Sequence, residues 1–418
     1  MRPTVQVVGR RLDSEHYLLR DFLTRTAQPY DWYEAGSADA DLLLARLELV
    51  DADLPVLVDG DLRVTGATVQ RVAEAWGGLG PTKKAHYDFV VIGAGPAGLA
   101  AAVYAASDGL STLVCDQDVP GGQASYATMI ENFFGFPQGI GGAELARLAA
   151  RQAEQFGAEL MLLRGVRASR MNGHNEPVGL ILEDDSEVTA SVVLAAPGMD
   201  WRRLELDGMD DLLGHGVYYG AGRSEAAQCR DQSVVVVGAG NSAGQAVLNF
   251  ANQTARVTMV VRGDSLSKSM SAYLIQRIEQ HPLIEVHLET QLTGLHADGD
   301  KLVAVTFTDA AGKAETRPID AVFLCLGGRP HTEWCSREHV LTDARGYILT
   351  GRDLVADGVP DCWPLDRDPF PLETSRVGLF AAGDVRHGST KRVAAAVGEG
   401  SMVASLIFDR LAELGVAF

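Results

Sequence analysis

Basic residues are in short supply. The chain of 418 residues has 36 Lys and Arg against 55 Asp and Glu, a formal net charge of -19. A nucleic-acid partner requires a basic surface and is excluded. The same charge disfavours docking on anionic membranes. No stretch approaches the roughly 18 apolar residues of a spanning helix, and the opening Met1-Arg2-Pro3-Thr4 lacks a signal-peptide core. The expectation is a cytoplasmic protein with no membrane partner. Cysteine is sparse too. Cys115, Cys229, Cys325, Cys335 and Cys362 are scattered and odd in number, which suits reduced thiols rather than a disulfide framework, and no two form a C-x-x-C.

What the chain does have is glycine placed at strand-to-helix turns. Phe89 to Ile92 is an unbroken apolar run, as a buried parallel strand requires. It breaks into Gly93-Ala94-Gly95-Pro96-Ala97-Gly98 and continues into an Ala-rich helix. Such a turn aims the helix N-terminal N–H groups at a pyrophosphate, and Asp116 stands downstream where an acid accepts a ribose hydroxyl. A second fingerprint follows the strand Val234 to Val237, as Gly238-Ala239-Gly240-Asn241-Ser242-Ala243 with a helix through Ala251. Two such folds imply two dinucleotides, one held and one exchanging. The second strand after the second fingerprint ends at Arg262, which favours a 2′-phosphate and hence NADPH. Gly263 and Asp264 follow it, and Lys268 is the one further cation nearby.

The length predicts two or three domains. Residues 1–80 read as a separate unit: a strand at Val5 to Val8, a helix capped by Ser14, strands near Tyr30 to Tyr33, Leu54 to Val58 and Leu62 to Val64, and two further helices. Residues 81–86 read as a linker. His16 is read as an exposed first-turn histidine, with a ligand or base role as the alternative. Gly121-Gly122-Gln123 and Ile130 to Pro137 offer close backbone approach and amides for a heterocycle. Near the C-terminus, Val377 to Ala382 closes on Gly383-Asp384, with a helix from about Arg392 aimed at the same ligand.

The β-α-β then β-β-α order of residues 1–80 resembles the thioredoxin or glutaredoxin fold, with Asp13-Ser14-Glu15-His16 where that family carries its cysteines. From 87 to 418 the chain resembles the low-molecular-weight thioredoxin reductase family of FAD-dependent pyridine nucleotide oxidoreductases. That resemblance implies an α/β fold with two Rossmann-like dinucleotide domains: an FAD domain over 87–202 and 322–418, and an inserted NAD(P)H domain over 203–321. By the same resemblance FAD is held by Gly93, Gly95, Pro96, Ala97, Gly98, Asp116, Gln117, Gly122, Gln123, Asn132, Val166, Gly198, Gly383, Asp384, Arg392 and Val393. NADPH, or NADH, is held by Gly238, Gly240, Asn241, Ser242, Ala243, Arg262 and Gly327. No metal is implied, and a homodimer is.

The departure lies before the second fingerprint. Where the family has its catalytic C-x-x-C and a following acid, this chain reads Gly220, Arg223 and Ser224. Disulfide reduction needs an attacking thiolate and a resolving partner, so thioredoxin-disulfide reductase activity is expected to be absent. Two readings follow. In one, the chain is an NAD(P)H-dependent flavoprotein oxidoreductase that gives electrons to an external carrier protein or small molecule. Tyr218, Tyr219 and Arg223 are then candidates beside the flavin, with plain packing as the alternative for the tyrosines. In the other, it is an FAD- and NAD(P)H-binding sensor with little turnover. The 351–372 stretch reads as a flavin cover, an oligomer contact or an inert loop.

Overall fold

The computed structural model describes every residue except 1–3, 12, 172, 221–228, 254–255, 333, 335–339, 357, 359 and 417–418. The chain forms two compact units. One comprises 1–76, 126–129 and 201–327, the other 77–125, 130–200 and 328–418.

The second of these is built on parallel strands in the order Glu159–Met161, Thr112–Cys115, His86–Ile92, Glu187–Ala195, with Leu379–Ala381 beside the end of the last. The long strand Glu187–Ala195 serves two neighbours. Its first half pairs antiparallel with Val178–Leu182, itself the partner of Val166–Arg170, and its last three residues run parallel to Leu379–Ala381. Val90, Val91, Leu113, Val192 and Leu194 are buried, which is why these strands read as continuous apolar runs instead of alternating ones. Helix Pro96–Ser107 is almost all small residues, and Gly400 of helix Val393–Glu413 uses the room. A Cβ at Gly400 would fall 2.1 Å from the Ala97 carbonyl oxygen, so only glycine lets the two helices approach this closely. The stretch read as a linker is tied down: the Lys83 amide donates to the Glu159 carboxylate (2.9 Å) and Arg164 donates to the Gly80 carbonyl (3.0 Å).

The first unit holds a five-stranded parallel sheet in the order Val217–Tyr219, Ala321–Leu324, Ser233–Val237, Arg256–Val260, Ile284–His287. A three-stranded antiparallel meander, Thr290–Asp298, Lys301–Asp309 and Ala314–Pro318, accompanies it. This corrects the expected boundary at 322. Ala321–Leu324 lies between two strands of the nucleotide sheet, and the chain changes units after Gly327. The apolar run signals a buried strand but carries no information about which sheet it enters.

Residues 4–76 form a four-stranded sheet ordered Tyr30–Glu34, Val5–Gly9, Val56–Asp59, Leu62–Val64. The first pair is parallel and the other two antiparallel, with helices Ser14–Arg25, Ala38–Arg46 and Val69–Ala75. The cap of the first helix is Asp13, not Ser14: its carboxylate accepts from the Glu15 and His16 amides, each at 3.1 Å. This region does not stand apart as expected. It belongs to one unit with 201–327, and Tyr17 joins the hydrophobic core around Val234, Val236 and Phe323.

Candidate functional site

The expected FAD residues all fall in the 77–125, 130–200 and 328–418 unit. Gly93 leaves the strand His86–Ile92 at φ +107, and a Cβ there would lie 2.2 Å from the Ala196 oxygen. At Gly98 a Cβ would lie 1.9 Å from the Gly93 oxygen, so the helix can begin hard against the turn. Gly95 has the opposite character: nothing lies within 4 Å of its ideal Cβ. It caps helix Pro96–Ser107 with no side-chain hydrogen bond, and Pro96 at the first turn needs no amide partner. The result is a helix N-terminus with free amides facing open space, which fits a pyrophosphate.

Asp116 braces this turn. Its carboxylate accepts from the Ala94 amide at 2.5 Å and the Asp118 amide at 2.9 Å. Gly121 donates to the Ala94 carbonyl at 2.7 Å, so the Gly121-Gly122-Gln123 loop is strapped to the fingerprint, and a Cβ built on Gly122 would lie 3.6 Å from the Gly95 Cα. Gln123 donates to the Met199 carbonyl at 2.8 Å, beside Gly198 at φ +69. Gln117 and Asn132 are exposed, and Val166 is half-buried at the bulge that opens its strand. At the other end, Gly383 packs on Ala97, and its amide donates to Glu399 at 2.7 Å; the same carboxylate pairs with Arg386 at 2.7 Å. Burial pushes the neighbouring Asp384 carboxyl above its ordinary range, Lys391 pulls it back, and Glu399 adds to the rise. Lys391 donates to the Asp384 carbonyl and lies 4.4 Å over the Tyr347 ring. Arg392 caps helix Val393–Glu413 without a side-chain bond. Glu399 and Gly400 escaped the sequence reading. A mid-helix glycine is the only local signal, and nothing in the sequence marks Glu399.

The expected nucleotide residues fall in the other unit. Gly238, at φ +150, has no room for a Cβ, which would lie 2.3 Å from the Cys325 oxygen, whereas Gly240 opens to space and caps helix Asn241–Ala251 with no side-chain bond. Asn241 accepts from the Ser271 amide at 2.7 Å, Ser242 is exposed and Ala243 is buried. Arg262 is exposed at the strand end, and Gly327 is open at φ +72. Lys268 pairs with Asp264 at 2.6 Å.

The tyrosines separate. Tyr218 is buried, its ring stacked on Phe323 at 5.2 Å and tilted against Tyr17 at 5.2 Å. Tyr219 is half-buried and its hydroxyl accepts from the Leu204 amide at 3.3 Å. Arg223 and Ser224 lie outside the described residues. Gly220 sits at φ +74, against the ring of Tyr126: an ideal Cβ would stand 3.1 Å from that ring. Tyr126 carries the Arg25 guanidinium at 4.1 Å on its ring and meets Trp201 edge-on at 5.6 Å. No sequence signal connects these four residues. His16, expected to be exposed, is buried. Its Nδ1 accepts from the Arg10 amide at 2.7 Å, and burial lowers its pKa, so it is a structural acceptor. Among the described residues no group of His, Cys, Asp and Glu could hold a metal ion. Cys115 and Cys325 are buried thiols, each pushed up to about 12 by burial, and are poor nucleophiles. The 351–372 stretch is anchored by Arg367, which pairs with Glu373 at 2.8 Å and with Glu413 of the last helix.

Two glycine-lined helix N-termini, each at the end of a parallel strand, define a two-dinucleotide oxidoreductase. Residues 87–400 match the family model of the pyridine nucleotide-disulphide oxidoreductases, and the chain belongs to that family. It is 32% identical over 319 residues to a thioredoxin reductase of Treponema pallidum, covering 76% of this chain and 95% of that one. It is 30% identical over 329 residues to a thioredoxin reductase of Bacillus subtilis, covering 78% and 96%. Among solved structures, the thioredoxin reductase of T. acidophilum superposes with a TM-score of 0.68 at 28% identity, covering 78% of this chain and all of that one. The α/β architecture with Rossmann-like domains is that of this family, whose cofactors are FAD and NADPH. The open space at Gly95 and Gly240 fits both. No helix among the described residues is long and apolar enough to cross a membrane.

Proposed function

We propose that the protein is an NADPH-dependent flavoprotein oxidoreductase of thioredoxin reductase type that has no internal disulfide to reduce and delivers its electrons to an acceptor outside the chain. The observation that carries this reading is Gly220. It stands at the family's first cysteine position at φ +74, and a Cβ there would press on the Tyr126 ring at 3.1 Å. Cys229, the nearest cysteine in the chain, is buried. When bound, FAD supplies a ring that takes two electrons from a reduced nicotinamide and releases them to the acceptor.

The chain's own residues bind and orient. The amides opening helices Pro96–Ser107 and Asn241–Ala251 would receive the two pyrophosphates, and Asp116, which stiffens the first turn, would accept from a ribose hydroxyl. Asp384 would help hold FAD, and its raised pKa suits hydrogen bonding to a neutral hydroxyl. Arg262 meets the 2′-phosphate. The thioredoxin-like order of residues 4–76 comes without a cysteine, so this region serves contact rather than disulfide exchange.

Anaerobic addition of NADPH to the FAD-loaded protein is the test. The flavin band should bleach and recover in air, and NADPH with thioredoxin disulfide should yield no thiols. Failure to bleach with both NADPH and NADH would refute the enzyme reading and leave the sensor.

A further inference from the structure

A dinucleotide fold chooses its coenzyme just after its second strand, where an acid accepts the free 2′-hydroxyl of NADH and a cation meets the 2′-phosphate of NADPH. This chain carries both there. Residues 262–271 read Arg-Gly-Asp-Ser-Leu-Ser-Lys-Ser-Met-Ser. The segment is firmly seated. Leu266 and Met270 are buried, and the Met270 amide donates to the Leu266 carbonyl at 3.0 Å. Two bonds tie the far end to the second fingerprint: the Ser269 hydroxyl donates to the Ala239 carbonyl at 2.8 Å, and Asn241 accepts from the Ser271 amide at 2.7 Å. At the near end the Glu289 amide donates to the Gly263 carbonyl at 2.9 Å. Arg262, Asp264, Ser267 and Lys268 are left exposed on this fixed frame.

The charges on the frame cancel. Arg262 and Lys268 are set against Asp264 and Glu289, so the edge offers a phosphate of nearly two negative charges no net positive field. Lys268 and Asp264 pair at 2.6 Å with 69% and 59% of their side chains exposed. An ion pair this open to water contributes little and costs little to open. A charge-assisted bond from lysine to phosphate is stronger than the screened pair it would replace. The Lys268 hydrogen bond also holds the Asp264 carboxyl below the usual carboxylate range, so at neutral pH it is an acceptor and never a donor. We infer, on the oxidoreductase reading above, that residues 262–268 form a two-coenzyme site in which the Asp264–Lys268 pair decides between NADH and NADPH. With NADH, Asp264 accepts from the adenosine 2′-hydroxyl and keeps Lys268 as its partner. With NADPH, the pair opens and Lys268 joins Arg262 on the 2′-phosphate. Asp264 is thus the residue that admits NADH and restrains the preference for NADPH.

The experiment titrates the full-length, FAD-loaded protein with NADP+ and with NAD+ by calorimetry, which requires no turnover, and sets these affinities beside KM for NADPH and NADH. The two parent affinities should lie within about tenfold of each other, and a preference of about a hundredfold or more for either would overturn the inference. Asp264→Asn should tighten NADP+ about fivefold and weaken NAD+ about fivefold, because it frees the lysine and blunts the hydroxyl acceptor. If either affinity stays unchanged, the inference fails. Lys268→Gln should weaken NADP+ about fivefold and leave NAD+ within about twofold. In Asp264→Asn/Lys268→Gln the gain for NADP+ should vanish, and its persistence would overturn the exchange of partners. Both side chains are exposed, so neither substitution removes packing. Absence of flavin bleaching with both NADPH and NADH would instead count against the oxidoreductase reading, with the NADP+ and NAD+ affinities still deciding the site.

Discussion

Restoring a thiol at position 220 should damage the protein rather than revive a disulfide reductase. Two separable costs meet at Gly220. At φ +74 any L-residue loses about 1–2 kcal/mol relative to glycine. The added Cβ then stands 3.1 Å from the Tyr126 ring, which Arg25 and Trp201 hold from other sides, so the ring must give way at a further cost of about 1 kcal/mol. Gly220→Cys should therefore destabilise by about 2–3 kcal/mol, lowering the first thermal transition by about 4–10 °C. A double-mutant cycle separates the parts: in a Tyr126→Ala background the steric share vanishes and about 1 kcal/mol of coupling appears. The assay is thermal or urea unfolding of the four proteins, with thioredoxin-disulfide reduction by Gly220→Cys/Arg223→Cys as a second readout. The reasoning is refuted if the double-cysteine protein is as stable as its parent, or if it reduces thioredoxin disulfide with Tyr126 intact.

Other perturbations have equally definite outcomes. Gly98→Ala sets a Cβ 1.9 Å from the Gly93 oxygen and must move the turn, so the purified variant should retain little FAD, measured as flavin absorbance per chain. Arg262→Ala should raise KM for NADPH about ten- to a hundredfold and that for NADH much less, if the cation meets the 2′-phosphate. Arg367→Ala strips the counter-charge from the fully buried Glu373 carboxylate and should cost about 3 kcal/mol in unfolding experiments. The Arg367 hydrogen bond holds Glu413 below the usual carboxylate range, with help from Arg410. Stability from that pair is complete above the unfolded-state pKa and is lost as pH falls through the lower folded one. The melting temperature should therefore fall between about pH 5 and pH 2, and more shallowly in Arg367→Ala.

The parts of this molecule written in backbone chemistry were readable from its sequence. Gly93, Gly98 and Gly238 are glycines because a Cβ would strike a carbonyl, and that requirement is local enough to appear as a fingerprint. The same holds for the apolar parallel strands and for the helix from Val393. The parts decided by distant packing left no such trace. Whether Ala321–Leu324 enters one sheet or the other, whether His16 faces water or its own sheet, and whether Tyr126 leans on Gly220 all depend on surfaces contributed by remote residues. The first helix shows the limit well. Its amphipathic pattern located it, but Tyr17 and Arg25 look like ordinary surface residues until their partners Tyr218 and Tyr126 are known.

The close approach of Gly400 to Ala97 has a consequence for how the protein is made. The fingerprint helix Pro96–Ser107 leaves the ribosome well before its packing partner Val393–Glu413 and the adjoining strand Leu379–Ala381 are made. Throughout that interval the first glycine turn has no complete fold around it, while every strand of the five-stranded nucleotide sheet has been translated by Leu324. Vectorial synthesis thus favours assembly of the nucleotide fold first, with the flavin-binding fold closing around its long-waiting opening segment only after the final helix is released.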